Sequence, residues 1–521
     1  MPLPIGTVCW PNLKKWPRAC KMEKTTKVII AGAGPTGLAL ACQLLRYGID
    51  LIILDKNEST TYLSKAMVVH ARTLEIFDEM GLADKAVAEG QIAQQFTILS
   101  HGKTQGQMKI GAFGKGLSPF PFALILEQSK TEQLLAKHLS ELGTNVQWKS
   151  EIVRFDNTGD GVTVFYKDGQ GNEQVIKGDY LVGCDGAASP VRHQIGLTFE
   201  GDTQERTFFV ADVKMESPLT EDKDAWFVMI EKGFVLFFPM AGEKHYRVIG
   251  SVPEDLAKRG KATFADIATD LISQAEIPLE FPEEYWFSTY RVHSRMVESF
   301  SKGRCFIAGD AAHIHTPAGG QGMNTGIQDA YNLGWKLAFV LQGKANARLL
   351  DTYDEERRTN AVNLLKTTDR MFDILAGTSW LTNIFRLYLF PKLIKFATET
   401  PFINKRIFPT LSQIGISYPD SPLTIESSLG KTEAGDRMPW FMINGESIYD
   451  KLMEPAYKLL YFGNENVAEV TSSVPLSKLS FSEIPDPFES HSDFYIVLRP
   501  DNYIAYIGKD LTKVEKALKL M

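Results

Sequence analysis

Hydrophobic positions recur along this chain in three rhythms, and each predicts a different element. Lys27-Val-Ile-Ile-Ala is a β-branched run, Gly-Ala-Gly-Pro-Thr-Gly breaks it, and Leu38-Ala-Leu-Ala-Cys-Gln-Leu-Leu resumes with apolar residues at helical spacing. That order predicts strand, tight turn and helix. Leu51-Ile-Ile-Leu is a second apolar run of strand length, and Tyr180-Leu-Val and Cys305-Phe-Ile are shorter ones that deliver the chain into Asp185-Gly186 and Gly309-Asp310. From about Phe199 to Arg295 the rhythm changes to short alternations such as Gly233-Phe-Val-Leu-Phe-Phe-Pro and Tyr246-Arg-Val-Ile-Gly-Ser-Val, which predict sheet. A helical segment begins near Ala330 and includes Leu349-Leu-Asp-Thr-Tyr-Asp-Glu-Glu-Arg-Arg. After Gly415-Ile-Ser-Tyr-Pro-Asp-Ser-Pro-Leu and Glu433-Ala-Gly-Asp-Arg-Met-Pro-Trp, a final unit closes on Phe494-Tyr-Ile-Val-Leu-Arg-Pro-Asp-Asn-Tyr-Ile-Ala-Tyr-Ile-Gly.

At 521 residues this is more chain than one hydrophobic core supports, so two or three domains are expected. The apolar stretch Leu375 to Phe396 is interrupted by Asn383, Arg386, Pro391, Lys392 and Lys395, which argues for a buried or amphipathic helix and against a membrane span. A net charge of −7 leaves no excess of cations to neutralise phosphates, so nucleic acid is an unsuitable partner. Cys9, Cys20, Cys42, Cys184 and Cys305 form no C-x-x-C pair, which suits a reducing, cytoplasmic setting with neither a disulfide framework nor a zinc site. Residues 1–26 hold Lys14, Lys15, Arg18, Lys21 and Lys24, but prolines interrupt them and no apolar core of a secretion signal follows. They read as a poorly structured tail.

The turns carry the chemistry. Gly32, Gly34 and Gly37 fit G-x-G-x-x-G: the first allows the tight turn, the second lets backbone approach a pyrophosphate, and the third permits close packing of helix on strand. Asp55, 18 residues after Gly37 at the end of the next apolar run, can accept hydrogen bonds from both ribose hydroxyls of an adenosine. These residues predict half of a dinucleotide site without choosing FAD or NAD. Asp185-Gly186 on its own is a common turn, with Arg192 six residues beyond Gly186. Asp310 can bond a ribityl hydroxyl, and the bare amides of Gly319, Gly320, Gln321 and Gly322 can reach a pyrophosphate or flavin carbonyls at a helix start.

In this order, the three stretches resemble the class A flavoprotein monooxygenases of the para-hydroxybenzoate hydroxylase fold, over most of the chain. The resemblance implies an α/β protein with a Rossmann-like FAD-binding domain, an interleaved β-sheet substrate domain, a helical segment and a thioredoxin-like C-terminal domain. The corresponding divisions are residues 27–198 and 296–365 for FAD, 199–295 for substrate, 366–425 for the helical segment and 426–521 for the last unit, which lacks redox cysteines. Residues carried over for FAD are Gly32, Gly34, Pro35, Thr36, Gly37, Asp55, Lys56, Asp185, Gly309, Asp310, Pro317, Gly319, Gly320, Gln321, Gly322, Met323 and Asn324. Two further stretches, Lys65-Ala-Met-Val-Val-His-Ala-Arg-Thr-Leu-Glu and Leu126-Glu-Gln-Ser-Lys-Thr-Glu-Gln-Leu-Leu, look like those that place an arginine, here Arg72, beside the flavin and a glutamine, here Gln128, at the FAD ribose.

On the same resemblance, NAD(P)H reduces the flavin, O₂ adds to give C4a-hydroperoxyflavin, and oxygen passes to an electron-rich ring of an aromatic, polyketide or antibiotic-like substrate, with the backbone of Pro317 near the transfer point. Flavin supplies the hard chemistry, so neither a catalytic triad nor a metal is required. His313 and His315 find no further ligands for a metal in the sequence and suit structural or loop roles. Phe238, Tyr246, Tyr290 and His293 are candidates to line the substrate pocket. Alternatives are a related flavoprotein of another reaction type, such as a halogenase or reductase, and a non-catalytic FAD-binding or interaction protein. A homodimer is the default assembly.

Overall fold

The computed structural model describes residues 24–62, 66–220, 224–230, 233–258, 262–317, 319–376, 401–464, 469–470, 472 and 474–520, with backbone alone at 204–205, 371–376 and 401–405. Residues 1–23 of the expected tail, Ala318, and most of the apolar stretch Leu375 to Phe396 lie outside the described residues.

In chain order, the elements that build the site are β1 (Lys24–Ala31), α1 (Pro35–Arg46), β2 (Leu51–Leu54), α2 (Ala71–Glu79), β3 (Gln95–Ser100), α3 (Gln128–Glu141) and β4 (Glu173–Gly183). There follow β5 (Glu200–Glu216), β6 (Ala225–Ile230), β7 (Gly233–Pro239), β8 (His245–Ser251), α4 (Phe264–Ala275), β9 (Glu280–Met296), β10 (Cys305–Ile307), α5 (Gly322–Leu341), α6 (Asp351–Ala376) and α7 (Pro401–Leu411). β10, β4, β1 and β2 lie side by side in parallel, with Val28 opposite both Tyr180 and Leu51. Covered by α1, α3 and α5, these strands read as unbroken apolar runs because both faces are buried. The ends of β1, β4 and β10 therefore bring the three glycine-containing turns to one edge, although the turns are up to about 280 residues apart in sequence.

The second sheet is mostly antiparallel, in the order β9, β5, β8, β7, β6, β3. Alternation splits its residues between two faces. Phe209, Val228, Val235, Phe237, Tyr246 and Val248 pack toward α4, whose own start is fixed by a reciprocal Thr263–Asp266 capping box. Phe208, Phe227, Phe234 and Val292 face the opposite way. The last unit is a four-stranded sheet of Leu476–Phe481, Tyr457–Phe462, Phe494–Leu498 and Ile504–Gly508, followed by a short helix, Leu511–Ala517. Among the described residues, no helix is long and apolar enough to cross a membrane.

Candidate active site

One cavity of about 940 Å³ runs from the turn after β1 to the inner face of the second sheet, near the top of the range of about 300–1,000 Å³ usual for ligand pockets. Its wall begins at the glycine turn. Gly32 has φ +98°, and a Cβ there would lie 2.4 Å from the Cys184 carbonyl oxygen. A Cβ on Gly37 would lie 2.0 Å from the Gly32 oxygen, whereas one on Gly34 would meet nothing within 4 Å. The first and third glycines thus lock the turn to β4 and α1, and the second faces the cavity. Pro35 opens α1 with no side-chain cap, so the first-turn amides face the space beside Gly34. Asp55 accepts from Ala33 N–H at 2.7 Å and Asn57 N–H at 2.8 Å, and it lines the cavity with Pro35, Thr36 and Lys56. A cradle open only at its middle glycine, with an acid beside it, fits the ADP half of FAD.

The other two turns are joined by one cation. Asp185 accepts from Ser189 Oγ and from Val191 N–H, so its carboxylate shapes its own turn while lining the cavity; burial raises its pKa. Arg192 donates to the Ala311 and Ala187 carbonyls at 3.0 and 2.8 Å and so ties this turn to the one after β10. There Gly309 packs on Thr36, its N–H bonds Asp329, and Asp310 lines the cavity. His313 also bonds Asp329, at 2.7 Å, opposite Arg357, a buried structural role of the kind expected for it.

The loop before α5 gives Pro317, Gly319, Gly320, Gln321, Gly322 and Met323 to the wall. Asn324 does not line it. Its amide instead donates to the Val68 and Gly320 carbonyls at 2.8 and 2.9 Å, and its oxygen accepts from His70 N–H at 2.9 Å. His70, missed in the sequence, lines the cavity and donates from Nε2 to the Gly319 carbonyl at 2.8 Å. His315 lines it too, with Nδ1–H donated to the Thr316 carbonyl and Nε2 left without a partner among the described residues.

Burial pushes both histidines from the ordinary 6.5 down to about 4. Below pH 6.5 the unfolded chain takes up protons that the folded chain refuses, so these residues withdraw stability as pH falls from about 6.5 to about 4. The apparent unfolding midpoint of the double variant His70→Gln/His315→Gln should therefore drop less over that window than that of the parent; parallel curves would refute the assignment.

Gln128 opens α3, where it accepts from Ala66 N–H and donates to Glu132 at 2.9 Å; both side chains reach the cavity. Arg72 departs from expectation. It lies in the first turn of α2, but its guanidinium turns away from the cavity, donating to Glu75 at 3.1 Å and to the Asp501 carbonyl at 3.2 Å between the rings of Tyr331 and Tyr503. A fully buried guanidinium needs acceptors, and those are offered by Glu75 on α2 and by Asp501 of the C-terminal unit. His70, two residues earlier, takes the place facing the cavity.

Strand parity sorts the substrate candidates. Phe238 and Tyr290 line the cavity. Tyr246 is in register with Val213 and packs on the α4 side, so it is core. His293 pairs with Thr203 through Nδ1 at 2.9 Å, away from the cavity. The sequence left out Phe96, Phe208, Phe227, Phe234, and Phe408 with Ser412 from around the end of α7, all of which line it.

Residues 25–368 match the family described as FAD binding domain. The 6-methylpretetramide 4-monooxygenase of Streptomyces rimosus is 32% identical over 523 residues, spanning 93% of this chain and 91% of that protein. The pentachlorophenol 4-monooxygenase of Sphingobium chlorophenolicum is 31% identical, spanning 79% and 75%. The solved structure of OxyS, an anhydrotetracycline hydroxylase from Streptomyces rimosus, superposes with a TM-score of 0.74 at 28% identity, over 95% of this chain and 99% of that one.

Proposed function

The chain belongs to the FAD-binding-domain family of flavin-dependent aromatic monooxygenases, and on that premise we propose that it uses NAD(P)H and O₂ to hydroxylate an electron-rich ring of a small aromatic or polyketide-like molecule. The observation that carries this reading is the continuity of the cavity: the cradle at Gly34 and the phenylalanine-rich wall at Phe227 and Phe234 belong to one chamber. Bound FAD supplies the transfer of electrons from nicotinamide and the activation of oxygen. The chain's own residues bind, orient and exclude water. In this proposal Gly34, Pro35, Thr36, Asp55, Lys56 and Gln128 hold the adenosine side, Asp310 the ribityl chain, and the loop Pro317 to Met323 the ring system, with Asn324 and His70 fixing that loop. The apolar wall keeps water from the reacting atoms.

Tyr290 is the phenol of the apolar half. Burial pushes its pKa up to about 12, so it stays protonated and can donate to a substrate oxygen. Tyr290→Phe should raise KM roughly fivefold, about 1 kcal/mol, with flavin content and apparent Tm unchanged; an unaltered KM would remove Tyr290 from the substrate site. The C-terminal unit we read as thioredoxin-like, serving packing, since no cysteine follows Cys305. The reading as a whole is tested by purifying the protein and following NADPH and NADH consumption in air against phenols and anthraquinone polyketides. Bound flavin, ligand-stimulated oxidation and a product heavier by one oxygen are expected. Bound FAD with no product from any ligand would favour the non-catalytic alternative.

A further inference from the structure

Five aromatic rings stand in a row across the cavity face of the second sheet, one pair stacked and the others tilted by 33–38°. Phe96 on β3 lies 6.4 Å from Phe227 on β6, Phe227 lies 5.6 Å from Phe234 on β7, Phe234 lies 6.3 Å from Phe208 on β5, and Phe208 lies 6.2 Å from Tyr290 on β9. All five line the cavity. Each spacing falls in the range of about 4.5–7 Å at which aromatic pairs attract, so the row is a rigid platform. It stands well back from the proposed flavin side. Along β7, Phe238 packs in one cluster with Met67 and Val68, the segment that leads into His70, whereas Phe234 lies four residues further off, roughly 13 Å of strand. A single ring seated at the Phe238 end would leave the platform untouched.

Among the described residues, the lining of the same half of the cavity carries no charge to meet an ion. Its charged lining residues, Asp55, Lys56, Glu132, Glu151, Asp185 and Asp310, all come from the dinucleotide side. Among the described residues that line the sheet side, none is Lys, Arg, Asp or Glu. Arg247, in register with Phe238 on this face, is fully buried behind the lining, neutralised by Asp212 through Nε and Nη2 at 2.7 Å each, with Nη1 left without a partner among the described residues. A carboxylate brought here would be desolvated against a wall that offers no cation, since the Arg247 guanidinium behind it is already neutralised by Asp212.

Resting on the monooxygenase reading, we propose that the substrate is an uncharged, extended molecule of three or more fused rings, whose ring to be hydroxylated lies at the Phe238 end and whose distal rings rest on the Phe96–Phe227–Phe234–Phe208–Tyr290 platform. Single-ring phenols and ring carboxylates are poor fits to this slot.

The test is a titration of the FAD holoprotein, read by perturbation of the flavin absorbance, with 1,8-dihydroxyanthraquinone, phenol and anthraquinone-2-carboxylate. The neutral three-ring compound should bind at least tenfold more tightly than either of the others, and Phe227→Leu should narrow its advantage over phenol. Wild-type selectivity is decisive even if the variant does not fold. Equal or tighter binding of phenol or of the carboxylate would overturn the platform proposal while leaving the monooxygenase reading intact. A protein that takes up no FAD would instead overturn that reading, and this proposal with it.

Discussion

Replacing Gly34 by valine should weaken FAD binding on the order of 100-fold, about 2.7 kcal/mol, and leave the unfolding midpoint of the apoprotein unchanged. Gly37→Ala, three residues on, should do the reverse in order of cause: it lowers the midpoint first, and flavin binding fails because the turn has moved. The two positions differ in what a Cβ meets. At Gly34 it meets nothing within 4 Å, so the folded apoprotein accepts it, and the side chain then occupies the space that a pyrophosphate needs above the first-turn amides of α1. At Gly37 it lies 2.0 Å from the backbone oxygen of Gly32, which is itself wedged against Cys184 and Asp185. A backbone atom locked on two sides cannot give way as a side chain can, and overpacking costs about 1–3 kcal/mol even where neighbours relax. Thermal unfolding of both apoproteins, with flavin-fluorescence titration, separates the effects. A destabilised Gly34→Val apoprotein, or a Gly34→Val protein that still binds FAD tightly, would contradict the cradle.

What could be read in the sequence is what local backbone geometry determines. The turn after β1, Asp55 at the end of β2 and the glycine loop before α5 are short-range patterns, and the cavity wall contains members of each. What could not be read depends on which way an element faces once packed. Arg72 and His70 are two residues apart, yet one faces Asp501, 429 positions away, and the other the cavity. Nothing local chooses between them; the partner on the far side of α2 does. Tyr246 and Phe238 are both aromatics on neighbouring strands, but Phe238 is in register with Arg247 and Tyr246 with Pro239, so they point to opposite faces. The same parity hid the aromatic platform, whose five members come from five strands and share a face only through register. Asn324 fits its motif by type, but its amide is occupied by the Val68 and Gly320 carbonyls. Its part in the site is to hold the loop and not to line the cavity.

Glu356→Ala should be the most destabilising single substitution away from the cavity, lowering stability by about 3–5 kcal/mol. Glu356 sits on α6 and is fully buried. It accepts from Arg499 at 2.6 and 3.0 Å, from Lys336 at 2.8 Å, from Asn332 at 2.7 Å and from Ser421 at 2.6 Å. Arg499 also bonds Asp501, which accepts from Trp335 Nε1 at 3.0 Å. Two carboxylates and two cations thus balance inside the contact between α5, α6 and the C-terminal sheet. Burial alone would raise the Glu356 pKa, but Arg499 and Lys336 overcome it and hold the group far below the carboxylate range. Burial pushes Lys336 the other way, down to about 8, against the pull of Glu356. Removing the carboxylate leaves Arg499 and Lys336 desolvated against each other, with one acid for two cations. Glu356→Gln keeps some of the hydrogen bonds and should cost less. Arg499→Ala alone should also be severe, and the double variant far less than the sum, because the second substitution removes a charge the first has already orphaned. Urea unfolding followed by tryptophan fluorescence reports directly here, since Trp335 is within the cluster. Additive losses would mean that the two residues do not act as one unit, and a Glu356→Ala loss below about 1 kcal/mol would place the cluster in the class of weak surface pairs.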